Sequence, residues 1–190
     1  AAGQELRRMG LSTKNMYVVP NNIVGQWREI FMKMYPAAKL LCVEPKNFIP
    51  QKRNEVLKCI RDEVYDGIII AYSCFEQVPL SKEYYMEELK KEIDEISVLL
   101  KERGRTTSKL MKKKENLNKL LTELVLAGSD PNNTIYFDEL GITRLFIDEA
   151  HNFKNVPITS KVDKVLGINK KGSSKCQDML DKGHCVQRQN

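Results

Sequence analysis

Four short, almost unbroken apolar runs constrain this chain more than any other feature. They are Met16-Tyr17-Val18-Val19, Lys39-Leu40-Leu41-Cys42-Val43, Gly67-Ile68-Ile69-Ile70-Ala71-Tyr72 and Arg144-Leu145-Phe146-Ile147-Asp148. Runs of this length, the first stopped by Pro20, read as strands buried on both faces, not as strands with one wet side. Segments with helical spacing lie between them. Ile23, Trp27, Ile30, Phe31 and Met34 fall on one helical face, and Val56, Leu57, Ile60 and Val64 on a face of a second helix from Gln51 to Val64. Gln4 to Met9 reads as the end of a helix closed by Gly10. Such alternation predicts an α/β fold, a parallel sheet with helices on both faces. Ligands of such sheets bind beyond the carboxyl ends of the strands. The residues to inspect are therefore Pro20-Asn21-Asn22, Tyr72-Ser73 and Asp148-Glu149.

Residues 81–126 break the rhythm. They are rich in Lys, Glu and Leu, with one stripe at Leu89, Ile93, Ile96 and Leu100 and another at Leu110, Leu117, Leu120 and Leu124. Gly104-Arg105-Thr106-Thr107 separates the stripes, so the segment reads as an inserted helical hairpin whose apolar faces pack together. Gly128-Ser129-Asp130-Pro131-Asn132-Asn133 reads as the loop that returns the chain to the sheet.

Bulk properties narrow the function classes. The 190 residues suit one domain, with a net charge of +6 and a pI near 9.0 that permit a nucleic-acid partner without requiring one. Much of the excess lies in Lys109–Lys119 and Lys161–Lys175, where a solvated face is the plain reading. No apolar run approaches the ~20 residues of a membrane helix, and no cleavable leader opens the chain. The five cysteines, Cys42, Cys59, Cys74, Cys176 and Cys185, lack metal-ligand spacing, which favours a reducing cytoplasm over secretion. The missing initiator Met reads as an excised or processed piece.

Leu145-Phe146-Ile147-Asp148-Glu149-Ala150-His151 is the stretch that carries chemistry. An apolar strand ending in two adjacent carboxylates is how P-loop NTPases place an aspartate for Mg²⁺ at the ATP phosphates. A neighbouring glutamate is an adequate general base for water. Asp148-Glu149-Ala150-His151, continued by Asn152-Phe153-Lys154-Asn155, resembles motif II of superfamily-two helicases, and the trailing Lys-Asn resembles the SWI/SNF class of DNA translocases. More narrowly, the chain is similar to the helicase-methylase proteins of phages, plasmids and conjugative elements. Tyr17-Val18-Val19-Pro20-Asn21-Asn22 with Gln26-Trp27 is similar to their motif Ia, and Tyr65 to Ser73 to motif Ib. Gly172-Ser173-Ser174-Lys175-Cys176-Gln177-Asp178-Met179 resembles the helix leading towards motif III.

The resemblance implies a RecA-like first motor lobe over residues 1–190, with 81–126 inserted. It implies ATP and Mg²⁺ as cofactors, Asp148 as the Mg²⁺ ligand, Glu149 as the activator of water and His151 as a link to the DNA-bound state. Asn21, Asn22, Tyr72 and Ser73, with Lys154 and Asn155 behind motif II, would meet the phosphates of DNA, double-stranded by analogy with the class. For Asn21 the competing reading is a plain helix cap, and Trp27 reads as core packing, not as a base-stacking platform. The implied partners are DNA, a second helicase lobe and a fused DNA methylase, with no membrane. The chain holds no Gly-x-x-x-x-Gly-Lys-Ser/Thr loop and no Ser/Thr-Ala/Gly-Thr motif III. It therefore reads as a segment between those two motifs that is inactive alone. The alternative from another class is a non-hydrolytic nucleic-acid or protein binding module on the same scaffold. A metal-dependent nuclease would need more acidic residues clustered after strands than the sequence has.

Overall fold

A computed structural model describes residues 1–102, 108–127, 134–155 and 173–188. The glycine-centred break at 104–107, the loop at 128–133 and most of the Lys161–Lys175 stretch lie outside those residues. The chain divides into two compact units, Ala1–Pro79 with Ile135–Asn190, and Leu80–Thr134.

The first unit is built on the four apolar runs. They become β1 (Asn15–Val19), β2 (Leu40–Val43), β3 (Gly67–Ala71) and β4 (Arg144–Ile147), all parallel, in the order β2-β3-β1-β4. Every residue of the central β1 and β3 is buried, while most of β2 and all of β4 at the edges are half-buried. The helices are α1 (Ala2–Arg8), α2 (Val24–Met34), α3 (Pro50–Asp62), α4 (Tyr72–Phe75), α5 (Lys82–Glu102), α6 (Ser108–Leu126) and α7 (Ser174–Arg188). The alternation of side chains along β4 shows that helices cover both faces of the sheet. Phe146 stacks on Tyr17 at 5.0 Å, on the side that carries Gly3 of α1 and Phe31 of α2. Leu145 and Ile147 point the other way, into a cleft shared with Gly183 and Val186 of α7.

Two helix faces differ from the sequence expectation. On α2, Val24 and Phe31 are buried, but Ile30 and Met34 are exposed. Helix α3 stops at Asp62, so Val64 lies beyond its last turn, exposed, while Leu57 and Ile60 are buried as expected. The third run also ends one residue early, because Tyr72 opens α4 instead of closing β3.

Two lysines fix helices in place, one against the sheet and one against another helix. Lys14, just before β1, donates to Ile60 O at 2.5 Å, Arg61 O at 3.0 Å and Leu140 O at 3.0 Å. The cation thereby meets the unpaired carbonyls at the negative end of α3. Lys182 of α7 is 0% exposed, donating to Phe75 O at 2.8 Å and Asp178 Oδ2 at 2.6 Å, with its ammonium 4.4 Å from the Phe75 ring centroid. Burial pushes the Lys182 ammonium below its ordinary range and the Asp178 carboxyl above its own, and their mutual attraction opposes both shifts.

The second unit is the expected hairpin. Lys82 Nζ donates to Ala127 O across its open end, and Lys113 Nζ sits 2.6 Å from Glu92 Oε1 further along, so α5 and α6 run antiparallel. No strand interrupts its described residues.

Gly3 is where α1 meets the sheet most closely. A β-carbon there would lie 2.1 Å from Tyr17 Oη and 3.1 Å from the Phe146 ring. Tyr17 cannot easily give way, being held against Trp27, Phe31 and Phe146. Gly3→Ala is expected to cost about 1–3 kcal/mol, the usual penalty of overpacking. Urea unfolding of the chain measures it, and a variant as stable as the parent would show that α1 moves freely.

Candidate functional site

A parallel sheet brings the carboxyl ends of its strands to one edge, so the segments after β1, β3 and β4 meet there. The ladder between β1 and β4 closes with Asp148 N donating to Val18 O at 2.9 Å. Asp148 is then held by three further groups. Trp27 Nε1 of α2 donates to Oδ2 at 3.2 Å, Glu149 N donates to Oδ1 at 3.0 Å, and the Tyr72 hydroxyl donates to the Asp148 carbonyl. The Tyr72 ring is buried and meets Phe153 edge-on at 5.0 Å. Burial raises the phenol above its ordinary range, which keeps the O–H as a donor.

Glu149 faces a different environment. Its φ of 50° and ψ of 45° place it in the left-handed region, alone among the described non-glycine residues. A β-carbon there costs about 1–2 kcal/mol. The turn sends the chain into a 3-10 turn, Ala150–Phe153, and buries Phe153. Asn152 secures it, donating from its N–H at 3.0 Å and its side-chain amide at 3.1 Å to Glu149 O. The Glu149 carboxylate lies 3.0 Å from His151 Nδ1, with 54% and 65% of the two side chains exposed. One carboxylate of the pair is thus fixed by protein donors, and the other reaches solvent beside an imidazole.

Around this pair the remaining sequence candidates fall into place unevenly. Asn21 caps no helix. Its side chain clasps the segment after β3, donating to Ser73 Oγ at 3.0 Å and accepting from Ser73 N at 3.1 Å. Asn22, Lys154 and Asn155 are exposed, and Asn155 O accepts Ser173 N at 3.0 Å. Two contributors were hidden in the sequence. Trp27 is half-buried and its indole N–H serves Asp148, whereas spacing alone marked it as core. Lys175 pairs with Glu76 at 3.2 Å and lies 4.8 Å from the Phe153 ring and 5.3 Å from Tyr72. In sequence it was one more cation in a lysine-rich stretch, with no local sign of these partners.

The donor set limits what metal the site suits. Among the described residues no group of three or more His, Cys, Asp or Glu side chains could hold a metal ion. Asp148 supplies one carboxylate, with Glu149 adjacent. That fits Mg²⁺, which binds through one or two carboxylates and completes its shell with waters and substrate phosphates. Beside Asp148 opens a cleft of about 440 Å³, walled by Tyr17, Ile23, Trp27, Ile30 and Phe31, within the size range of small-molecule sites.

The strained turn yields a stability prediction. Alanine normally outlasts glycine at a structured position, but at Glu149 the order is expected to invert. Glu149→Gly should be at least as stable as Glu149→Ala, because only glycine adopts φ of 50° without the steric penalty. Chemical denaturation of both variants decides it, and an alanine variant clearly the more stable would mean that the left-handed turn is absent in solution.

Comparison with known proteins places this geometry. The family model described as a probable helicase domain matches residues 1–190. No curated protein matches the chain, and no solved structure does.

Proposed function

The chain belongs to the probable helicase domain family, and from that membership we propose that it is part of the first RecA-like lobe of a DNA-dependent ATPase. In this reading the parent protein couples ATP hydrolysis to movement on, or remodelling of, duplex DNA, and the nearer kin are the SWI/SNF-like helicase-methylase proteins of mobile elements. A second helicase lobe and a fused methylase are the partners that this kinship supplies. The observation that carries the reading is the unequal treatment of Asp148 and Glu149. Asp148 is pinned by Trp27, Tyr72 and the β1–β4 ladder, as a ligand that must not move requires. Glu149 reaches solvent beside His151, as a group that takes a proton from water requires.

Asp148 would hold Mg²⁺. When bound, the ion would supply positive charge against the negative charge that develops on the phosphates. Glu149 would orient and deprotonate the attacking water. His151, 3.0 Å from Glu149, would set the direction of that carboxylate and link it to the DNA-bound state. The Asn21–Ser73 clasp joins the segments after β1 and β3 into one exposed rim, with Asn22 on it. Side chains and main-chain groups there suit phosphate contact, which positions DNA without reading its sequence. Tyr72 would contribute its main chain, its side chain being the strut under Asp148, and the exposed Lys154 and Asn155 would meet the same phosphates.

In the longer protein, Glu149→Gln is expected to leave ATP binding intact and to slow turnover by roughly 10²–10⁴-fold, the usual worth of general-base catalysis. Asp148→Asn should instead weaken Mg²⁺-dependent nucleotide binding. An undiminished rate in Glu149→Gln would remove that residue from the chemistry and favour a binding module. The 190-residue chain itself should neither hydrolyse ATP nor bind it tightly. It has no glycine-rich loop with its lysine, and Asp148 and Glu149 alone repel phosphates. Calorimetry with Mg·ATP and a phosphate-release assay, with and without duplex DNA, test this. Micromolar ATP binding by the chain would place the nucleotide elsewhere.

A further inference from the structure

Lys175 stands where its own helix disfavours it. It is the second residue of α7, a helix with no acidic residue in its first turn. Peptide dipoles make that end of a helix positive, so an ammonium there is repelled. Groups outside the helix offset the repulsion. The Lys175 ammonium lies 3.2 Å from Glu76 Oε1, 4.8 Å from the centroid of the Phe153 ring and 5.3 Å from that of Tyr72. Its side chain is 36% exposed, so water screens these contacts only in part. Aromatic rings attract a cation at such distances through their electron-rich faces.

Each of the two rings leads directly to one of the paired carboxylates. Tyr72 donates its hydroxyl to the Asp148 carbonyl. Phe153 closes the 3-10 turn that Glu149 opens, and Glu149 is the residue held at φ of 50°. The rings meet edge-on at 5.0 Å, so one cation braces the supports of both carboxylates. The lysine is in turn fixed from further along α7. Lys175, Asp178 and Lys182 follow one another at spacings of three and four, and so share a helical face. Lys182 is fully buried and donates to Phe75 O, in the helix that Tyr72 opens. Phe153 is the nearer ring, and the turn it closes is the strained one. We propose that Lys175 is a positioning residue for Glu149: through the Phe153 ring it holds the left-handed turn that presents this carboxylate to solvent. The proposal rests on the reading of Asp148 and Glu149 as the carboxylates of an ATPase. In it Lys175 acts through Phe153 and not on the reacting atoms.

Nuclear magnetic resonance of the 190-residue chain tests the positioning itself, without nucleotide. Lys175→Met keeps the aliphatic stem and removes the charge. The backbone amide signals of Glu149 and Asn152 should shift or broaden in that variant, while those of β1 and β3 keep their places. Lys175→Arg, whose guanidinium can also stack on a ring and pair with Glu76, should leave the Glu149 signal near its parental position. In the longer protein Lys175→Met should lower kcat for ATP hydrolysis roughly two- to thirtyfold, the range of a cation–π contact from exposed to desolvated. The KM for ATP should change little, and Lys175→Arg should restore most of the rate. Phe153→Leu should slow turnover as well. The double variant should be hardly slower than Phe153→Leu alone, because the lysine acts through that ring. Circular dichroism checks that each variant is folded. Unmoved Glu149 and Asn152 signals in Lys175→Met overturn the proposal. So do additive losses in the double variant, or an arginine variant as slow as the methionine one. Full turnover in Glu149→Gln would instead overturn the reading on which the proposal rests, and would leave the resonance shifts as they are.

Discussion

The hydrogen bond from Asp148 N to Val18 O at 2.9 Å, last in the ladder between β1 and β4, determines whether the rest of the site can exist. It sets β4 beside β1 with Val18 opposite Ile147, while the other ladder sets Val19 opposite Ala71. Those registers bring the first residue after β4 within reach of the first residue after β3, so that the Tyr72 hydroxyl meets the Asp148 carbonyl. They also place Asp148 under the indole of α2, the helix that follows β1. A slip of one residue would turn every β4 side chain to the opposite face, separating Phe146 from Tyr17. The buried aromatic cluster and the polar site thus depend on the same pairing.

From that pairing follows the division between two adjacent carboxylates. Asp148 lies at the end of an extended strand and takes donors from protein. Glu149 turns left-handed and leaves the sheet. Strain of this kind persists only where surrounding structure enforces it. Here the enforcement comes from both amides of Asn152 on the Glu149 carbonyl and from Phe153, which the turn delivers to the Tyr72 ring and the Lys175 ammonium. Lys175 and Lys182 tie α7 to the same neighbourhood, one through Glu76 and the other through Phe75 O. Both partners lie in or just after α4, the helix that Tyr72 opens. A movement of α7 would therefore be felt at the carbonyl of Asp148.

Most of the architecture was legible in the amino-acid order, because burial on both faces leaves an unmistakable apolar run. All four strands lie where their runs predict, and the described residues of 81–126 form the two antiparallel helices of the expected hairpin. Periodicity identifies a face of a helix but not what opposes it. Ile30 and Met34 share the spacing of Phe31 yet remain exposed, and Val64 fell outside α3 because the helix ended sooner than its apolar stripe. The same limit hid the site's supports. Trp27 acts on a residue more than a hundred positions away in the chain, and Lys175 on Glu76 and Tyr72 about a hundred positions away as well as on Phe153. For Asn21 a helix cap competed with phosphate contact because its type favours caps, and the choice of Ser73 as partner was made by the β1–β3 pairing.

The central claim is that the fold holds Asp148 still in order to serve a nucleotide-bound cation. Trp27 is the residue through which that claim is most exposed, since it touches the Asp148 carboxylate without being offered as a ligand itself. Trp27→Phe keeps an aromatic ring against Tyr17 and removes the N–H along with part of the bicycle. A hydrogen bond to a charged group is worth about 1.5–3 kcal/mol. The measurement is the Mg²⁺ dependence of DNA-stimulated ATP hydrolysis by the longer protein carrying Trp27→Phe. The account predicts a tenfold or greater rise in the Mg²⁺ required for half-maximal rate, in a variant that circular dichroism shows to be folded at the assay temperature. An unaltered Mg²⁺ dependence in a folded variant would contradict it, because Asp148 would then need no orientation or have no cation to hold.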